Sequence, residues 1–167
     1  MSKKKKSIPR PFKTVGPVAH MSPCGMFFCL ILPYPSPVDM KRLNPHAGGN
    51  SHYGKSAATK AQRQTSRLVS LPMMPASPWE HALLTKRFYK PEKGRTMDVY
   101  NMSARCKGAI DGVIDAGLLL DDSDKYITNG FLASGVDTEA ARMELHFARL
   151  FPGDRVADPL IIRKESR

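Results

Sequence analysis

Asn101-Met-Ser-Ala-Arg-Cys-Lys-Gly-Ala-Ile-Asp-Gly-Val-Ile-Asp-Ala-Gly117 is the stretch whose reading decides the fold. On a wheel of about 100° per residue, Met102, Cys106, Ala109, Ile110, Val113 and Ile114 gather on one arc. Ser103, Lys107, Asp111 and Asp115 stack on another. The pattern predicts an amphipathic helix, with Gly117 placed to close it in a left-handed cap. A helix with one apolar stripe needs a second layer, and the flanking sequence offers strands. Met26-Phe-Phe-Cys-Leu-Ile-Leu32, closed by Pro33, reads as a short apolar strand, and His81 to Lys90 as another. Lys125 to Ala133 and Ala141 to Arg149 read as two more. In the last, Met143, Leu145 and Phe147 alternate with Arg142, Glu144 and His146. A turn over Gly135 to Thr138 predicts that these two form a hairpin. A second helix is expected from Gly54 to about Val69, where Lys60, Arg63 and Arg67 fall on one face as a basic stripe. The fold class that follows is α/β (α+β), a small mixed sheet of about four strands with two main helices.

Around this centre the sequence changes character. Residues 1–24 are rich in Pro and Lys and show no period, which predicts a flexible basic arm. Residues 25–151 form the expected domain, and 152–167 a C-terminal tail. Four prolines and two glycines between Leu32 and Asn50 predict an extended loop there. The 167 residues suffice to bury a core without disulfides or a structural metal. Cys24, Cys29 and Cys106 cannot all pair and show no metal-ligand spacing, which favours a reducing, cytoplasmic setting. The apolar run from Met26 to Leu32 is too short to cross a bilayer. Lys3 to Lys6 ahead of it do not make a secretory signal, because prolines intervene and no small-residue cleavage site follows.

Charge is distributed unevenly. Residues 1–70 hold 12 Lys/Arg and a single acid, Asp39, so the whole net charge of +11 lies in the first half. Such asymmetry points to a polyanionic partner. Lys3 to Lys6 by themselves read as a solvated tail. Within this chain, acids cluster around the central helix: Asp98 before it, Asp111 and Asp115 along it, and Asp121, Asp122 and Asp124 beyond it. Carboxylates are the ligands Mg²⁺ prefers, and Mg²⁺ at a phosphodiester activates water and neutralises charge. Lys107 would add a positive charge for the transition state. Plainer readings stand beside this one. Asp98 would cap a helix, Lys107 and Asp111 would form an i,i+4 pair, and Asp121-Asp122-Ser123 would be a turn. The five histidines are scattered, Trp79 reads as packing rather than base stacking, and Cys106 reads as a small core residue.

Asp98-Val-Tyr-Asn101 and Lys107-Gly-Ala-Ile-Asp111, followed by Asp115-Ala-Gly and Asp121-Asp122, resemble the core motif of the RusA family of Holliday-junction resolvases. Leu32-Pro-Tyr-Pro resembles that family's first-strand motif, and Leu43-Asn-Pro with His52 to Arg63 its loop and basic helix. The resemblance spans about residues 26–150 in matching order. It implies a homodimeric endodeoxyribonuclease that uses Mg²⁺, or Mn²⁺, to nick paired strands of a four-way DNA junction. Carried onto this chain, it implies Asp98, Lys107 and Asp122 as catalytic and Asp98, Asp121 and Asp122 as metal ligands. Lys55, Lys60, Arg63, Arg67 and Asn101 are the residues expected to touch DNA. Tyr100 stands where the family's pattern has a second acid, so a non-catalytic protein that binds branched DNA is the alternative. A basic RNA-binding protein ranks lower, because the aromatic residues do not interleave with the basic helix.

Overall fold

The computed structural model describes residues 15–43, 52–91 and 99–154. Five strands form one sheet: β1 (Val18–Met21), β2 (Phe27–Pro33), β3 (Ala82–Lys90), β4 (Ile127–Val136) and β5 (Arg142–Arg149). Their order is β1-β2-β5-β3-β4. Every neighbouring pair is antiparallel except β3 and β4, which run parallel. Four helices accompany them: α1 (Pro37–Arg42), α2 (His52–Ser70), α3 (Val99–Ala104) and α4 (Lys107–Ala116). The mixed sheet with two long helices is the architecture the sequence predicts.

Four local expectations are corrected. Residues 18–21, expected in the arm, form β1, which pairs with β2 around a turn whose Gly25 has φ 67°. A fifth strand is thereby added to the sheet. The Pro-rich stretch after Leu32 holds α1, because Ser36 Oγ accepts the Asp39 N–H at 3.2 Å and donates to Asp39 Oδ2 at 2.6 Å, a reciprocal cap followed by Pro37 in the first turn. The single helix expected after Asn101 is two, broken at Arg105 and Cys106. The hairpin expected from β4 and β5 does not form, because β3 lies between them. The β4–β5 connection instead passes the end of β3, where the Asp137 N–H donates to the Lys90 carbonyl at 2.9 Å. Period-2 alternation shows which face of a strand is buried, and it does not show which strand is its neighbour.

The core explains the order. Phe28, Leu30 and Leu32 of β2, Leu84 and Phe88 of β3, and Met143, Leu145 and Phe147 of β5 are buried on one face of the sheet. Met102, Cys106, Ala109 and Val113 of the helices join them in one cluster, with Trp79, Leu118 and Leu119 closing its edge. β3 is the most enclosed strand and takes a position between two partners. Burial pushes the Cys106 thiol up to about 12, which keeps it a neutral core side chain. Lys86 is the exception in this layer. Its ammonium is buried and donates to Ser103 Oγ at 3.0 Å and Asn129 Oδ1 at 3.2 Å, tying α3 to β3 and β4, and burial lowers its pKa. Among the described residues no helix is long and apolar enough to cross a membrane.

The opposite face of the sheet carries a polar network. His146 Nε2 lies 2.8 Å from Glu144 Oε2 and 3.9 Å from Cys29 Sγ, and Arg142 binds Glu144 and Asp137, each at 2.6 Å. The Cys29 sulfur and the Glu144 carboxylate hold His146 up at about 9. A folded-state pKa above the unfolded value of about 6.5 stabilises fully below the unfolded pKa and is lost as pH rises through the folded one. Thermal unfolding should therefore show stability falling between about pH 6.5 and about pH 9, by about 1 kcal/mol after allowance for solvent screening of a side chain 38% exposed. His146→Gln should flatten that slope, and an unchanged slope would contradict it.

Candidate functional site

α2 and α4 lie against each other so closely that two glycines of α4 are required at the seam. A Cβ added at Gly108 would sit 2.7 Å from the Thr59 carbonyl oxygen. One added at Gly112 would sit 2.7 Å from Ser66 Cβ and drive into the Arg63 carbonyl oxygen. Ser66 and Ser70, the small residues of α2 at this seam, are fully buried. Gln62 Oε1 accepts the Ala109 N–H at 3.2 Å, which satisfies one open donor at the start of α4. At its other end α4 is closed by Gly117, at φ 106°, as the sequence predicts.

Close approach of these helices brings charges of opposite sign together. Arg63 of α2 donates through Nε to Asp115 Oδ2 at 2.5 Å and through Nη2 to Asp115 Oδ1 at 2.7 Å, a two-pronged contact. Its Nη1 also lies 3.9 Å from Asp111 Oδ2. Arg63 holds the Asp115 carboxyl below the usual carboxylate range. The middle of the basic stripe is therefore spent within the fold, while Lys60 and Arg67 remain exposed on the surface of α2. Replacing Arg63 by Gln should lower the thermal stability only slightly, because the pair is solvent-screened, and change the affinity for DNA less than Lys60→Gln does. A salt titration of DNA binding checks the second part, and an equal loss of slope in both variants would refute it.

At the start of α4, Lys107 is held between two carboxylates. Its Nζ donates to Asp122 Oδ2 at 2.5 Å and to Asp111 Oδ1 at 3.0 Å. The bond to Asp122, then that to Asp111, raises the Lys107 pKa, and Lys107 in turn lowers that of Asp122. Lys107 is thus an ammonium at physiological pH. It can neutralise charge or donate a proton, and it cannot serve as a base. Asp121 and Asp122 are exposed in the loop after α4, and Asp121 Oδ1 accepts the Asp122 N–H at 2.8 Å. The plain readings of this segment are thereby present too: an i,i+4 pair at Lys107 and Asp111, and a turn at Asp121-Asp122.

The structure brings together Lys107, Asp111, Asp122 and Asp121. Asp98 lies outside the described residues, and Lys55 lies in α2 with its side chain outside them. Asn101 is exposed on α3, beside a Tyr100 that is 65% exposed. Among the described residues no group of three or more His, Cys, Asp or Glu side chains is arranged to hold a metal. The donors that are present are hard carboxylate oxygens on exposed side chains. They suit Mg²⁺, which is commonly held by one or two carboxylates and completes its shell with water and phosphate oxygens. The sequence does not disclose Arg63 as a clamp on α4, although Gly108-x-x-x-Gly112 announces a close helix pair. Nothing in the sequence signals the buried Lys86 either. No protein-family profile and no curated protein matches this chain.

Proposed function

We propose that this protein is a Mg²⁺-dependent endodeoxyribonuclease that nicks four-way DNA junctions in paired strands, acting as a homodimer in recombination and repair. The observation that carries the reading is the Lys107 ammonium held at 2.5 Å from Asp122 beside the exposed Asp121, in the order that the RusA-like motif requires. Asp121 and Asp122, with Asp98, would hold the cation. When bound there, such a cation would supply charge neutralisation and water activation at the scissile phosphate. Lys107 faces the charge that develops on the leaving oxygen, and Asp111 keeps it in place when Asp122 turns to other partners. Lys60 and Arg67 on α2, with Lys55 and the basic N-terminal residues, hold phosphates and fix position without reading bases. Asn101 would lie alongside the strand. Two-fold pairing of subunits would present two such sites to the two equivalent strands of a junction.

One observation favours a second reading. Tyr100 is a large exposed side chain where the motif has an acid, and it favours a protein that binds branched DNA without cutting it. A single experiment separates the two. Purified protein is incubated with a labelled four-way junction or linear duplex, with Mg²⁺ or with EDTA. Mg²⁺-dependent nicks in the junction alone support the nuclease. Salt-sensitive binding of the junction with no nicks supports the second reading, and absence of both removes the two together.

A further inference from the structure

We propose that the open face of the sheet, away from α2 and α4, binds a nucleoside monophosphate unit, a planar ring joined to a phosphate. This inference is independent of the nuclease reading. The site is a cavity of about 430 Å³ that crosses all five strands, within the range of small-ligand sites. Its floor is a row in register across four strands: His20 of β1, Cys29 of β2, His146 of β5 and Thr85 of β3. Phe27, 59% exposed, and Phe131, 37% exposed, flank it as two aromatic walls.

The charge inside the cavity decides what it takes. Arg87 reaches in from β3 with its guanidinium 5.6 Å from the Phe131 ring centre. Among the described residues it has no carboxylate partner, and its Nε is buried without a hydrogen-bond acceptor. Glu144 lies opposite it in the β3–β5 register but is bound by His146 and Arg142, so the half-buried guanidinium keeps an unmet donor facing the cavity. The other cations nearby are already matched: Glu144 lies between His146 and Arg142, and Asp137 also binds Arg142. Arg87 is the group left to receive an anion, and phosphate fits its forked donors. The exposed rings beside it supply a stacking surface for a base. A neutral apolar ligand would leave Arg87 unmet, and inorganic phosphate would leave the rings uncovered.

Two sources share this chemistry, a free nucleotide and an unpaired nucleotide in a DNA strand. Calorimetry on the full chain without metal, with 2′-deoxyadenosine 5′-monophosphate as probe, tests the site. The nucleotide should bind at least about tenfold more tightly than deoxyadenosine or inorganic phosphate, the loss expected for one charge-assisted contact or one stacked ring. Arg87→Gln should weaken it by a similar factor, Phe131→Leu should weaken it less, and Asp122→Asn should leave it unchanged. If Arg87→Gln fails to fold, Phe131→Leu and Phe27→Ala carry the test, since both rings are exposed. A duplex with one unpaired nucleotide, compared with a blunt duplex, assigns the source. A preference that disappears in the Phe131 and Arg87 variants indicates DNA, and no preference indicates the free nucleotide. The proposal is overturned if nucleotide and phosphate bind equally, if none of these variants weakens binding, or if Asp122→Asn does.

Discussion

Asp122→Asn should reduce Mg²⁺-dependent junction nicking by about a hundredfold to a thousandfold, the scale on which removal of one charged transition-state contact is felt. Asparagine keeps the size of the side chain and removes its charge. Two things change at once: the candidate cation site loses a carboxylate, and Lys107 loses its 2.5 Å partner. Lys107 keeps Asp111 at 3.0 Å and so stays near its place. The pair is solvent-exposed, with side-chain exposures of 64% for Lys107 and 36% for Asp122, so the loss to stability should stay below about 1 kcal/mol. Activity and Tm are thereby separated. An unfolded variant would trace the effect to structure, and nicking at the wild-type rate would remove Asp122 from the reaction.

Gly112→Val should have the largest effect on stability. Its Cβ would meet the backbone of α2 at the Arg63 carbonyl oxygen, Ser66 Cβ at 2.7 Å and the Arg67 nitrogen at 3.0 Å, none of which is the free end of a side chain. The helices must move apart, exposing Ser66 and Ser70 and lengthening the Arg63 to Asp115 contact. Overpacking of this kind costs about 3 kcal/mol, which in a chain of this size lowers Tm by about 10 °C. Gly16→Ala is the control, since nothing lies within 4 Å of a Cβ there. Equal melting temperatures for the two variants would show that the seam tolerates separation. Circular dichroism on heating provides the measurement.

The elements legible in the sequence are those whose pattern is local. The apolar run at Met26 to Leu32 and the alternation in β5 each predict a strand at the observed place, and the six-residue apolar arc marks the ground of α3 and α4 without the break between them. What the sequence did not disclose depends on partners far along the chain. β1 is four residues among prolines, and it exists because β2 offers it an edge. α1 begins at Ser36-Pro37-Val38-Asp39, a helix start that the surrounding prolines mask in the sequence. On the sequence alone Arg63 belongs to the basic stripe, since its partner Asp115 lies 52 positions away. In the candidate site the carboxylates and Lys107 stood out as a cluster of charge, whereas the pairing that fixes Lys107 between Asp111 and Asp122 needed the turn after Gly117. The cavity on the open face leaves no trace in the sequence, for it is assembled from one to three residues on each of five strands.

The position of β5 between β2 and β3 has a consequence for synthesis on the ribosome. Until residues 142–149 leave the exit tunnel, the nascent polypeptide holds two separate pieces, a β1–β2 ribbon and a β3-helix-β4 unit, whose inner edges face nothing. The final strand seals both edges in one event. Translation that stalls ahead of Arg142 therefore leaves two adhesive borders exposed together, the condition in which chaperone capture or intermolecular association competes with folding.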